Sequence, residues 1–342
     1  MNKKNLAIAV IALMVGFLIG YNLSGKNEDV LIQGEKELTS IKIGWQIPWA
    51  TEGQLTQILK NTDLLKDSGL VGDFKGFSYG GPLNEAALAG EVDVIFTADQ
   101  PIAMLLNKNP NWTIIGRLMY NRTALFVPPN SPIQDVAGLK GKTVAMPFGA
   151  AAQRMALLAQ QDAGLDPKKD VININLGIYE QSDMIKDPEA KKWGNIDAMA
   201  SFDPTPAILE EKGLVRNLKV GKIVSVIAMS NDYIEKNPEA PVNFLKAFRG
   251  AYSFYRNNVN QANSWFTAEA KLDMTPEALK IAASIEPNVN AESDKEIYID
   301  FKEEDYAVMQ EAADFLYAQE LISKAIIMKD FVNLSYLEQS KK

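Results

Sequence analysis

Two short turns carry the residue types best suited to hold or transform a small molecule. They are Thr97-Ala98-Asp99-Gln100-Pro101 and Phe202-Asp203-Pro204. Each follows a Gly, then a Val-Asp or Ile-Asp pair leading into an apolar run: Gly90 to Phe96 before the first, Gly194 to Ser201 before the second. Asp99 and Asp203 would make an acid/base pair if the fold held them within a few ångströms and split their pKa values. Each turn also reads as a helix cap, with Thr97 or Asp99 capping a helix that has Pro101 near its start, and Asp203 capping one that opens at Pro204. In open α/β sheets, however, ligands sit beyond the carboxyl ends of strands, against helix N-termini. Thr97, Asp99 and Gln100 are therefore a candidate ligand-binding turn, and Phe202 and Asp203 are its counterpart.

What the chain lacks narrows the chemistry. Its 342 residues include no Cys and no His. Thiol nucleophiles, thiolate metal sites, disulfides and Ser-His or Cys-His machinery are excluded. No catalytic residue, metal or cofactor is expected. A formal charge of -8 and the absence of a long basic run argue against nucleic acid as a partner.

The elements that position these turns follow from periodicity. Ile41 to Trp45 alternates as a strand, Gln46 to Thr51 is a polar and aromatic loop, and a helix follows to about Lys60. Asn84 to Ala89 reads as a short helix stopped by Gly90, and Glu91 to Phe96 as a covered strand. Thr113 to Tyr120 and Thr123 to Val127 read as two strands, ended by Pro128 to Pro132, where a domain crossing is placed. After a fresh strand at Thr143 to Met146, Phe148 to Gln153 leads into a helix ending at Gly164. Val220 to Met229 is a strand and the return crossing. Phe244, Phe248, Tyr252 and Tyr255 fall at helical spacing, a stripe expected to be core packing.

The N-terminus opens Met1-Asn2-Lys3-Lys4, then runs apolar from Leu6 to Tyr21, the pattern of an export signal. It lacks a small-residue cleavage site, which favours an uncleaved anchor over a cleaved peptide. The expected division is a signal peptide or anchor at 1–25, a linker at 26–40, a first lobe of 41–128 plus 229–335, and a second lobe of 129–228. The expected location is outside the membrane, periplasmic or at the cell surface, on an N-terminal tether.

In order and spacing, IKIGWQIPWATEG, LAGEVDVIFTADQP, LKGKTVAMPFGAAAQ, NIDAMASFDPTPAILEEKG and SNDYIEKNPEAPVNFLKAF resemble type II periplasmic solute-binding proteins. The group is that of nitrate, sulfonate, taurine and thiamine-precursor binders, and the likeness covers roughly residues 41 to 335. It implies an α/β fold of two lobes with a two-strand hinge, preceded here by the N-terminal hydrophobic helix. It also implies a monomer that closes on a small-molecule solute and delivers it to ABC permease subunits. Carried over by position, the ligand-facing residues are Gln46, Pro48, Trp49 and Thr51, then Thr97, Asp99 and Gln100. The second lobe adds Phe148, Gly149, Ala150, Ala151 and Gln153, then Phe202 and Asp203.

One departure bears on the solute. Oxyanion-binding relatives commonly have Ser or Thr where this chain reads Gly149-Ala150-Ala151-Ala152. Backbone donors and the helix dipole remain, contributing on the order of 1 kcal/mol toward an anion. With Asp99 and Asp203 nearby, Trp49 and Phe202 point to a planar or cationic organic solute, held by stacking and cation–π contacts. Arg122 and Arg154 are the basic residues nearest the turns; either would suit a carboxylate, and exposure is the ordinary outcome for arginine. Two alternatives remain: an enzyme on the same scaffold, and an anchored sensor lobe.

Overall fold

The computed structural model describes residues 38–342. The expected signal or anchor at 1–25, with its hydrophobic helix, and the linker up to residue 37 lie outside the described residues. Strand β1 spans Thr39–Gln46, so Thr39 and Ser40 belong to the sheet rather than the linker. Among the described residues, no helix is long and apolar enough to cross a membrane.

After β1 come β2 (Leu70–Phe77), β3 (Val94–Ala98), β4 (Trp112–Val127), β5 (Thr143–Met146), β6 (Ile172–Asn175), β7 (Ala198–Phe202) and β8 (Arg216–Ser230). They form one sheet in the order β2-β1-β3-β8-β4-β7-β5-β6. β1 pairs in parallel with β2 and β3, and β5 in parallel with β6 and β7. Each flank is thus a small parallel sheet, which needs helical crossovers; β3 and β7 are buried throughout, whereas the edge strands β2 and β6 stay partly exposed. The flanks are joined by β4 and β8, which pair antiparallel from Trp112↔Ser230 to Val127↔Arg216. The C-terminal end of β8 carries β3, and the C-terminal end of β4 carries β7. This is the expected α/β architecture of two halves joined by two long strands.

The two strands expected at 113–127 are one. Asn121 and Arg122 break the apolar pattern, yet the ladder to β8 runs through them. Their side chains are spent elsewhere: Asn121 Nδ2 donates to the Ala50 carbonyl at 3.2 Å, and Arg122 Nε to Asp203 Oδ2 at 2.8 Å. Register shifts at Ile114/Gly116 and Arg117/Met119 bend β4. Gly116 sits where a Cβ would come within 3.3 Å of the Ile299 carbonyl oxygen.

The helices that matter for the site are α1 (Glu52–Asn61), α2 (Gly80–Leu88), α3 (Asp99–Lys108), α4 (Ala151–Asp162) and α5 (Thr205–Glu211). Beyond β8 lie α6 (Ala240–Asn257), α7 (Val259–Ala270), α8 (Pro276–Ala283) and α9 (Glu303–Ala318). Gly90 and Gly164 follow α2 and α4 at φ +71 and +79, the left-handed exit that glycine tolerates. The aromatic stripe of α6 is core, as its spacing predicts. Phe248 lies 5.6 Å and Phe244 5.9 Å from Phe96 of β3, ring centroid to centroid. Fully burying one such ring stabilises the fold by about 1.5–3 kcal/mol.

Candidate functional site

A narrow cavity of about 10 Å³ lies at the carboxyl ends of β1, β3 and β7, where the two halves of the sheet meet. Five of its wall residues are among those expected from sequence: Gln46, Trp49, Ala150, Ala151 and Phe202. Gly80, Ala98, Pro101 and Ile223 complete the wall. Wider hollows of about 500 and 510 Å³ elsewhere hold none of the strand-end residues.

Three helices begin at this wall. Their N-cap residues are Tyr79 for α2, Ala98 for α3 and Ala150 for α4, and none supplies a side-chain cap. Ala is a poor cap; in α3 the Gln100 N–H goes to Asp99 Oδ1 and Pro101 has none, and the remaining first-turn N–H groups are left to other acceptors. Gly80 allows two of these starts to lie side by side, because a Cβ there would stand 2.5 Å from Pro101 Cγ. The Thr97 hydroxyl stands next to that point, 3.7 Å from where the Cβ would be. Trp49 and Phe202 face each other edge to face at 5.7 Å, one from each half of the sheet. Trp49 is 2% exposed, and its indole Nε1 has no hydrogen-bond partner among the described residues. The same holds for Thr97 Oγ1 and for both amide atoms of the buried Gln100. Such orphaned buried donors and acceptors are rare in folded proteins and mark places where a polar ligand or water fits.

The two acidic residues stand behind the wall. Thr97 lies within β3 and Asp99 opens α3, earlier than the helix start expected at Pro101. Asp99 Oδ2 accepts from Arg154 Nη2 at 2.5 Å and from the Val224 N–H at 3.4 Å, while Oδ1 accepts from the Gln100 N–H at 2.7 Å. Asp203 Oδ2 and Oδ1 accept from Arg122 Nε and Nη2 at 2.8 and 3.0 Å, and Oδ1 also takes the Ala207 N–H of α5. Asp203 is thus both helix cap and ion pair. Arg122 and Arg154 are not exposed; their side chains are 13% and 5% accessible. Burial pushes both Asp carboxyls up, against the pull of the paired guanidinium groups. Each of the two acids is paired with an arginine, which offsets the negative charge that favoured a cationic solute; Arg122 also holds Glu210 and Arg154 also holds Glu311.

The other expected residues are spread around this centre. Pro48 is buried but off the wall, and Thr51 is buried at the head of α1 with φ +63, a strained value for a β-branched residue. The Thr51 N–H is held by Gln54 Oε1 at 2.9 Å. Phe148 is 40% exposed and does not reach the wall. Gly149 takes φ +82 and its N–H donates to Gln153 Oε1 at 2.8 Å, which occupies Gln153. Glu52 was not singled out from sequence. It is fully buried, Oε1 accepts from the Gln46 N–H at 2.5 Å, and Oε2 has no partner among the described residues. Burial drives its carboxyl well above the usual range. Ile223, in mid-strand, gave no sequence signal, whereas Gly80 was visible as a glycine pair ahead of Pro82.

Known proteins resemble this chain in sequence and in fold. The family described as NMT1/THI5 like matches residues 78–262. A putative aliphatic sulfonates-binding protein of Bacillus subtilis (strain 168) is 24% identical over 345 residues, covering 99% of this chain and 97% of the relative. The solved alkanesulfonate-binding protein SsuA from Xanthomonas axonopodis pv. citri, bound to MOPS, superposes with a TM-score of 0.70 at 19% identity, over 87% of this chain and 99% of that one. The desulfurization enzyme DSZB shares the fold at a TM-score of 0.63 and 14% identity, over 89% of this chain and 99% of that one.

Proposed function

From the premise that this chain belongs to the NMT1/THI5-like family, we propose that it is the extracytoplasmic solute-binding protein of an ABC importer. Its solute is a small organic anion of the sulfonate class, captured between the two halves without chemical change. The observation that carries this reading is the convergence of three helix starts without side-chain N-caps on a cavity beside which Asp99 and Asp203 are each paired with an arginine. Helix N-termini attract anions through free N–H groups and the helix dipole. Backbone donors take the place of the hydroxyls missing at Gly149 to Ala152, and Thr97 adds a hydroxyl from the other half. Trp49 and Phe202 supply apolar contact for the organic part. The names of the sulfonate-binding relatives agree with this chemistry.

The halves serve as lobes, 41–128 with 229–335 and 129–228, and the crossing extends along β4 and β8. The protein acts as a monomer, exported and presented to permease subunits in the membrane. An enzyme reading has the fold of DSZB in its favour, but Asp99 and Asp203 are bound to separate arginines and do not form the acid/base pair it would need.

The test is isothermal titration with methanesulfonate, ethanesulfonate and taurine, with product analysis of the recovered ligand. Saturable binding with unchanged ligand is expected, and Trp49→Ala weakens it about tenfold or more, roughly 1.4 kcal/mol. Consumption of the ligand, or binding of organic cations but of none of the three sulfonates, would overturn the reading.

A further inference from the structure

Asp99 is an unusual residue to find beside an anion site. It opens α3 immediately after the wall residue Ala98, and it is fully buried. A helix start contributes about half a positive charge, so one bare carboxylate offsets about two of them. With Asp99 uncompensated, the field of α3 and α4 over the cavity would fall to near zero or below.

Arg154 prevents this. It lies one helical turn beyond Ala150 and Ala151, which are themselves on the wall. From α4 it reaches Asp99 Oδ2 at 2.5 Å, and its Nη1 donates to Glu311 Oε1 of α9 at 2.8 Å. Glu311 is 60% accessible, so solvent screens its charge far more than that of Asp99. The buried part of the network is therefore close to neutral, and the helix starts keep their positive sign. An independent sign that a ligand belongs here is Trp49, nine-tenths buried on the same wall with an indole N–H that has no partner among the described residues.

We propose that Arg154 sets the charge preference of the cavity, keeping it selective for an anionic solute by cancelling Asp99 at the head of α3. This rests on the anion-binding reading above and names the residue responsible for it. Arg154 acts through Asp99 and not by touching the solute; it is a positioning residue.

The test compares ethanesulfonate with uncharged ethanesulfonamide by calorimetry, using the full protein. Asp99→Asn removes the negative charge and leaves Arg154, so sulfonate binding tightens about tenfold while sulfonamide binding stays within about threefold. Arg154→Met does the reverse, weakening sulfonate at least tenfold with little effect on sulfonamide. Asp99→Asn in the Arg154→Met background restores the original preference, and Arg154→Lys retains it. A purely structural role would move both ligands together. Parallel changes in the two ligands, or loss of sulfonate binding in Asp99→Asn, would overturn the inference while leaving the sulfonate reading standing. If the parent protein binds no sulfonate, the reading itself falls and the inference with it. Should Arg154→Met fail to fold, the gain in Asp99→Asn decides alone.

Discussion

Glu52 and Asp203 are both fully buried carboxyls near the cavity, yet they affect stability in different ways. Asp203 is held by Arg122 and by the first turn of α5, so Asp203→Asn leaves a guanidinium with only Glu210. Removing one partner of a buried pair typically costs about 3–5 kcal/mol, and the remaining Glu210 contact brings the expected loss to about 2–4 kcal/mol, read from urea unfolding. Glu52 has no cation and one backbone donor. Its folded pKa lies above the unfolded value of about 4.3, so the native state holds a proton that the unfolded chain releases. Its contribution to stability is full at acid pH and is lost as pH rises through the raised folded value. Glu52→Gln should therefore be more stable than the parent at pH 8, by about 1 kcal/mol or more, with the gap closing toward pH 5. A gap that widens on acidification would contradict this assignment. Sequence could not separate the two cases: the arginine that neutralises Asp203 is 81 residues away, and the one for Asp99 is 55 away.

At the scale of elements, the starts of α2, α3 and α4 matter more than their lengths. Gly80→Val would drive a side chain into Pro101 and separate the starts of α2 and α3. Ethanesulfonate affinity should fall at least tenfold in calorimetry, while the thermal midpoint drops by only a few degrees because Gly80 lies outside the aromatic core. Unchanged affinity would remove α2 from the site. These elements were largely legible. Gly90 and Gly164 announced where α2 and α4 stop, and the spacing of Phe244, Phe248, Tyr252 and Tyr255 announced a buried face. The fusion of two expected strands into β4 was not legible. Polar Asn121 and Arg122 look like a break until their distant partners, Ala50 and Asp203, are known.

The molecule as a whole is two parallel half-sheets sharing one antiparallel pair. A solute that bridges α3 and α4 bridges the halves, so ethanesulfonate should reduce the radius of gyration in small-angle scattering, and Trp49→Ala should blunt that change at equal ligand concentration. The two-half plan could be read from the repeated Gly, Asp and Pro turns. The small size of the cavity could not, because it depends on how Trp49 and Phe202 meet across 5.7 Å. That meeting has an optical consequence. An indole packed edge-on against a phenyl ring and shut off from water emits at shorter wavelength than one that is hydrated. Separation of the halves would shift the Trp49 emission to the red, so among the five tryptophans of the chain this one gives a label-free signal for the rates at which the halves part and rejoin.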